Sequence, residues 1–313
     1  MCLGNVWSKQ WTRAPEKVSR ARKRPLEEKE SARWVEGLQR ARGLAEQAPG
    51  TQVVCVADSE ADIFELFAAA VGGPQRPAVT WLVRACHDRT VRTCAGVTSL
   101  RAAVAGEPIR YQETIEVRGR PAPLVQQDKR VRHQPRQSRT SEVAVRARSL
   151  ELAAPARQAG AALPVQAVLV TEIAPPKGEP PVEWLLLTTL PIATEQDVRR
   201  IVQYYRRRFL IEVYFHTLKS GCRVERRRFE YLNHFSAFLA VCEVIAWRIL
   251  HLTHRSRLQP HQSCETVFTP AEWRATWALT ARAAPPPTPP SLLEMTLRVA
   301  QLGGYLRRGP KSP

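Results

Sequence analysis

The run Val53-Val-Cys-Val-Ala57, closed by Asp58 and continued by Ser-Glu-Ala-Asp62-Ile, constrains the fold more than any other part of the chain. Five apolar residues without polar alternation have the pattern of a short strand buried on both faces of a sheet. Such a strand needs a covering layer on either side, which points to an α/β architecture. Ile63 to Val71 then reads as a helix and Trp81 to Arg84 as a second strand. From Tyr111 to Ile173 the period switches to alternation, as in Thr114-Ile-Glu-Val-Arg118 and Val143-Ala-Val-Arg146, which predicts an antiparallel β insertion. Trp184 to Leu190 returns to a buried strand, and Glu195 to Lys219 reads as one long helix. Around this centre, Leu3 to Trp11 reads as the tail of a strand, Leu26 to Gln47 as a helix and Phe235 to Leu252 as a strongly apolar helix. Pro285-Pro-Pro-Thr-Pro-Pro290 is a stiff linker before a last helix, Ser291 to Leu306.

The chain of 313 residues is long enough to bury a sizeable core in one large domain or two. A net charge of +18 and a pI near 10.3 call for a polyanionic partner, because such self-repulsion is relieved by phosphates. Arginine outweighs lysine, which favours bidentate phosphate and base contacts. No apolar run reaches bilayer length and no signal-peptide pattern opens the chain, so no membrane partner is expected. Seven scattered cysteines without a C-x-x-C pair suit reduced core residues and no zinc site. These features suit a cytoplasmic, nucleoid-associated protein.

The segment Tyr204-Tyr-Arg-Arg-Arg-Phe-Leu-Ile-Glu212-Val-Tyr-Phe-His-Thr-Leu-Lys219 has no Gly or Pro before Gly221. On a continuous α-helix Tyr205, Arg208, Glu212 and Lys219 fall within a sector of about 60°. One tyrosine, two cations and a carboxylate on a single stripe suit a grip on phosphates around a metal ion. A solvated basic face is the alternative.

The spacing Tyr-x2-Arg-x3-Glu-x6-Lys resembles the YREK signature of bacterial cut-and-paste DNA transposases of the insertion-sequence-four and transposon-five type. The Val53–Ile63 block is similar to the family's second catalytic block, an apolar strand ending in Asp. Smaller matches are Glu28-Lys-Glu-Ser-Ala-Arg-Trp34, Leu82-Val-Arg84, Pro175-Pro-Lys-Gly-Glu-Pro180, Glu183-Trp-Leu-Leu-Leu-Thr188 and Leu302-Gly-Gly-Tyr305, all in one order. The resemblance implies an RNase H-like core with an antiparallel β insertion and a carboxyl-terminal helical region. The expected division is 1–110, with Asp58, and 111–173, the insertion. The core resumes over 174–255, and 256–313 is a helical dimerisation region.

The resemblance further implies DNA strand cleavage and transfer at transposon ends, with Asp58 and Glu212 as catalytic metal ligands. Two Mg²⁺ or Mn²⁺ ions about 4 Å apart would activate the attacking oxygen and stabilise the leaving one. It implies double-stranded DNA contacts by Tyr205, Arg208, Lys219, Trp184 and Arg84. Trp184 either stacks on an extruded base or anchors its strand in the core. Asp58 is alternatively a helix N-cap, while Glu60 and Asp62 read as first-turn residues complementing a helix dipole. The basic segment Lys129–Arg136 reads as a loop against DNA backbone or a solvated turn.

The chain departs from the family in one respect that matters for chemistry. Such transposases use three carboxylates, the first an Asp on the first core strand, yet Asp58 is the first aspartate of this sequence. The preceding Glu16, Glu27, Glu28, Glu30, Glu36 and Glu46 do not close an apolar strand. The chain thus reads as a truncated transposase, short of the amino-terminal region and slightly short at the carboxyl end, and catalytically incomplete. A homodimer, or a heterodimer with an intact transposase that it inhibits, is the expected assembly.

Overall fold

The computed structural model describes residues 4–9, 29–71, 79–94, 96–119, 135–155 and 161–305. The chain divides into two compact units, Arg13–Arg208 and a second formed by Met1–Thr12 with Phe209–Pro313.

The first unit is built on a mixed sheet in the order β1-β2-β8-β7-β6-β3-β4, with β5 paired to β6. Its strands are β1 (Val54–Ala57), β2 (Thr80–Arg84), β3 (Thr90–Thr93), β4 (Gly96–Ser99), β5 (Tyr111–Val117), β6 (Arg139–Leu152), β7 (Leu163–Glu172) and β8 (Glu183–Thr188). β1 and β2 are parallel, and every other pairing is antiparallel. The alternation expected over 111–173 appears as the antiparallel strands β5, β6 and β7 of this sheet.

Strand alternation sends residues to two cores. Trp81 and Val83 of β2, Ala167 and Leu169 of β7, and Leu185 and Leu187 of β8 point to one face. There they meet Leu38 of α1 (Ala32–Gln47), Phe64 and Phe67 of α2 (Phe64–Val71), and Leu100 and Val104 of α3 (Leu100–Ala105). Leu82, Val168, Val170 and Leu186 point to the other face, against Val198, Ile201 and Val202 of α4 (Glu195–Arg207). α4 starts on a capping box, in which Thr194 and Asp197 satisfy each other's backbone N–H groups.

Burial of β1 on both faces is not observed. Val54, Cys55 and Val56 are half-buried and only Ala57 is buried, because β1 ends the described sheet and has β2 as its single neighbour.

Glu172, at the end of β7, anchors the β7–β8 connection. It pairs with Arg139 at 3.0 Å and accepts from Ser141 Oγ at 2.6 Å and Val182 N at 2.8 Å. The Arg139 guanidinium, then Ser141 and the Val182 N–H, hold its carboxyl down to about 2 against the opposing effect of burial. Arg139 also pairs with Glu179 in the loop.

In the second unit, Gly4–Lys9 has no regular structure, which corrects the expected strand tail over its described part. Asn5 and Ser8 donate to the Glu243 carboxylate of α6 (Leu232–Leu258). At 27 residues α6 is long and apolar enough, by length and composition, to cross a membrane, although no such run was expected. Glu243 and Arg248 interrupt its apolar sequence, so an uninterrupted-run criterion passes over it. A carboxyl-terminal core of Cys264, Phe268, Trp273, Leu292 and Met295 joins α7 (Pro270–Ala281) and α8 (Leu292–Leu302). The proline stretch is pinned to it through Cys264 N to Pro290 O at 2.9 Å.

Candidate active site

Asp58 follows β1 at its carboxyl end, where Ala57 pairs with Val83, so Asp58 and Arg84 leave two parallel strands at the same level. β8 runs the opposite way, with Leu186 opposite Arg84, which brings Glu183 and Trp184 to that end of the sheet. Arg84 donates to Glu183 O at 3.3 Å, and the Glu183 carboxylate pairs with Arg101. α4 buries Val198, Ile201, Val202 and Tyr205 at i, i+3, i+4 and i+7, so its apolar stripe fixes where its last turn arrives. That turn delivers Tyr205 and Arg208.

Five of the seven expected site residues therefore meet in one unit. The Trp184 and Tyr205 rings lie 5.7 Å apart at 56°. The Tyr205 oxygen is within reach of the Arg84 and Arg208 guanidiniums, and burial, only partly offset by these cations, raises the phenol above its ordinary pKa. Arg208 Nη1 stands 3.9 Å from Asp58 Oδ2, with side-chain exposures of 21% and 39%. The other carboxylate oxygen accepts from Glu60 N at 2.9 Å and caps the 3₁₀ turn Ser59–Ala61. The N-cap reading of Asp58 is thus correct, and one half-exposed oxygen remains for a ligand. Among the described residues that hard oxygen donor faces the Arg208 guanidinium at the outer limit of pairing, which fits a divalent cation.

Glu212 and Lys219 belong to the second unit. The expected single helix is corrected here. α4 ends at Arg207, and the Arg208 N–H bonds to Tyr205 O at 3.0 Å, one residue short of the α-helical partner. α5 (Phe209–His216) follows, then a π turn over Thr217–Gly221 closed by Cys222 N to Thr217 O at 2.9 Å. Thr217 Oγ1 also donates to Val213 O at 3.1 Å, a back-bond that bends helices. The run from Glu195 to Gly221 is thus divided into two α-helices and a π turn. Glu212 is exposed on α5, and Lys219 pairs with Glu225 at 3.0 Å.

Asp62 has a different role from the one expected. It lies outside α2, its side chain is fully buried, and it accepts from Cys86 N at 2.8 Å and His87 N at 3.0 Å. Arg89 Nε and Nη2 add bonds of 2.9 and 2.8 Å. Asp62, Cys86 and His87 bring ligand atoms within 4.8 Å of one another, but both Asp62 oxygens are committed to these donors. Asp62 holds the chain leaving β2, just beyond Arg84. Nothing local in the sequence announces this, because its partners lie 24 to 27 residues away.

Residues 8–249 match the family described as the transposase DDE domain, and residues 244–313 match the transposase Tn5 dimerisation domain. The chain belongs to the Tn5-type DDE transposases. The mixed sheet with helices on both faces is accordingly the RNase H-like core of this transposase, and the terminal helices form its dimerisation region. DNA binding, dimer formation and divalent-metal chemistry are the properties of that family. The segment Lys129–Arg136 lies outside the described residues apart from Pro135 and Arg136.

Proposed function

We propose that this transposase grips transposon-end DNA through Arg84, Tyr205 and Arg208, with Lys219 contributing a further strand contact. The observation that carries the reading is the Arg208 guanidinium 3.9 Å from Asp58, with Arg84 leaving the neighbouring strand at the same level and Tyr205 packed on Trp184. Two guanidiniums can hold a phosphate by charge-assisted hydrogen bonds. The Tyr205 phenol, whose pKa burial raises, can donate a third. Trp184, packed on Tyr205, fixes that ring and offers a partly exposed indole to a base.

Asp58 and Glu212 are the residues that would hold Mg²⁺ or Mn²⁺. Two such ions, when bound, supply activation of water or a 3′-hydroxyl and stabilisation of the leaving oxygen. In the resting arrangement Arg208 occupies the neighbourhood of Asp58, and an arriving phosphate competes for that guanidinium. The residues assigned here supply two carboxylates, Asp58 and Glu212, and the reading is that this polypeptide by itself binds ends without cutting them. As a homodimer, or paired with an intact transposase through 244–313, it acts as an inhibitor of transposition in the nucleoid.

Fluorescence anisotropy with a labelled duplex carrying the ends that flank its gene tests the grip. Arg84→Ala and Arg208→Ala should each weaken binding and each lower the salt slope by about one. Unchanged slopes in both variants would remove the proposed phosphate site.

A further inference from the structure

Among the described residues six cysteines are free, and two of them meet. Cys222 closes the π turn that carries Lys219, with its backbone N–H on Thr217 O at 2.9 Å. Its Sγ lies 4.0 Å from the backbone oxygen of Cys242 on α6. Both pack in one small core with Leu218, Val224 and Ala246. Arg223 follows in the left-handed region at φ 55°, and Cys222 and Val224 on either side of it both join this core. Cys242 is 4% exposed, whereas Cys222 is half-buried and so the less enclosed of the two residues.

We propose that Cys222 and Cys242 form a peroxide-responsive modification site that closes to an intrachain disulfide and ties the Lys219 turn to α6. The oxidant is a hydroperoxide. The Cys222 thiolate attacks one peroxide oxygen and the O–O bond breaks. The departing hydroxide is neutralised by the proton that the Cys222 thiol released on ionising and leaves as water, giving a sulfenic acid. Cys242 sulfur then attacks Cys222 sulfur, the S–O bond breaks, and the released hydroxide takes the Cys242 proton as a second water. Two thiols lose two protons and two electrons, and one peroxide becomes two waters. The Cys242 thiol is raised by burial and then by the adjacent Cys222, which suits it to be the resolving partner and Cys222 the first to react.

The full chain is treated with a small excess of hydrogen peroxide, alkylated, digested with trypsin and mapped without reduction. Cleavage after Lys219, Arg223, Arg228 and Arg248 isolates residues 220–223 and 229–248. The expected product is these two peptides joined, two hydrogen atoms lighter than their sum, and absent from Cys222→Ser and from Cys242→Ser. Should the buried Cys242→Ser variant fail to fold, Cys222→Ser alone serves, and must leave Cys242 alkylatable. The proposal is overturned if both peptides are recovered unlinked and alkylated while the exposed Cys86 and Cys94 oxidise. It is equally overturned if Cys222 proceeds to sulfinic acid without linking.

Discussion

Replacing Asp62 with Asn should destabilise the end of the first unit that carries Asp58 and Arg84 while leaving Asp58 itself untouched. The Asp62 carboxylate accepts four hydrogen bonds, two from backbone N–H groups of Cys86 and His87 and two from Arg89. An amide keeps one acceptor oxygen, so either the backbone pair or the guanidinium then faces an NH₂ group. Two bonds to a charged acceptor are lost, at roughly 1.5–3 kcal/mol each, with part recovered from water. A net cost of about 3–4 kcal/mol follows, or roughly 6–15 °C in Tm for a unit of this size. Asp58→Asn is the control. Asn caps a helix as well as Asp does, and the half-exposed Arg208 pair is worth about 0–1 kcal/mol. That variant should melt within about 1 kcal/mol of the parent. Urea and thermal unfolding followed by circular dichroism compare the three proteins. Equal stability of Asp62→Asn and the parent would refute the structural role. Loss of Mn²⁺-dependent stabilisation in Asp62→Asn but not in Asp58→Asn would show that the two carboxylates have been assigned the wrong way round.

Further expectations rest on separate features. Glu172 has its pKa lowered to about 2 in the folded chain against a usual value near 4.5, so its contribution is fully present above about 4.5 and is lost as pH falls toward 2. Glu172→Gln should lower stability at pH 7 by about 2–3 kcal/mol, with Glu179 still available to Arg139. It should also flatten the acid limb between those pH values in urea midpoints, and an unchanged limb would place the acid sensitivity elsewhere. Thr269→Ala removes the capping box at the start of α7 and should cost about 1 kcal/mol in thermal unfolding. Trp184→Ala should reduce affinity for a duplex with an unpaired base more than for a fully paired one, and equal losses would leave Trp184 as a packing residue.

The positions of several strands are legible because some are apolar over their whole length, as in Leu185-Leu-Leu187, and others alternate, as in β5, whereas their order in the sheet is set by pairings between distant segments. α7 is also legible in principle, since Thr269-Pro-Ala-Glu272 places cap, Pro and box residue in register. The break at Arg208 and the π turn were not legible. Leu210 to Leu218 is composed of acceptable helix residues, and the departure comes from bonds such as Thr217 to Val213 O. The site divides in the same way. Asp58, Arg84, Trp184, Tyr205 and Arg208 could be picked from motif order, and strand register brings them together. The fixed role of Asp62 and the Glu183–Arg101 pair depend on residues distant in sequence, which spacing does not reveal.

A DNA grip without strand cleavage by this chain alone is the proposal. It is tested most directly by incubating the purified chain and an end-bearing duplex with Mg²⁺ or Mn²⁺, then resolving the DNA on native and denaturing gels. The predicted result is a shifted complex, weakened by Arg208→Ala, with every strand intact. A nicked or joined product that disappears with Glu212→Ala would contradict it.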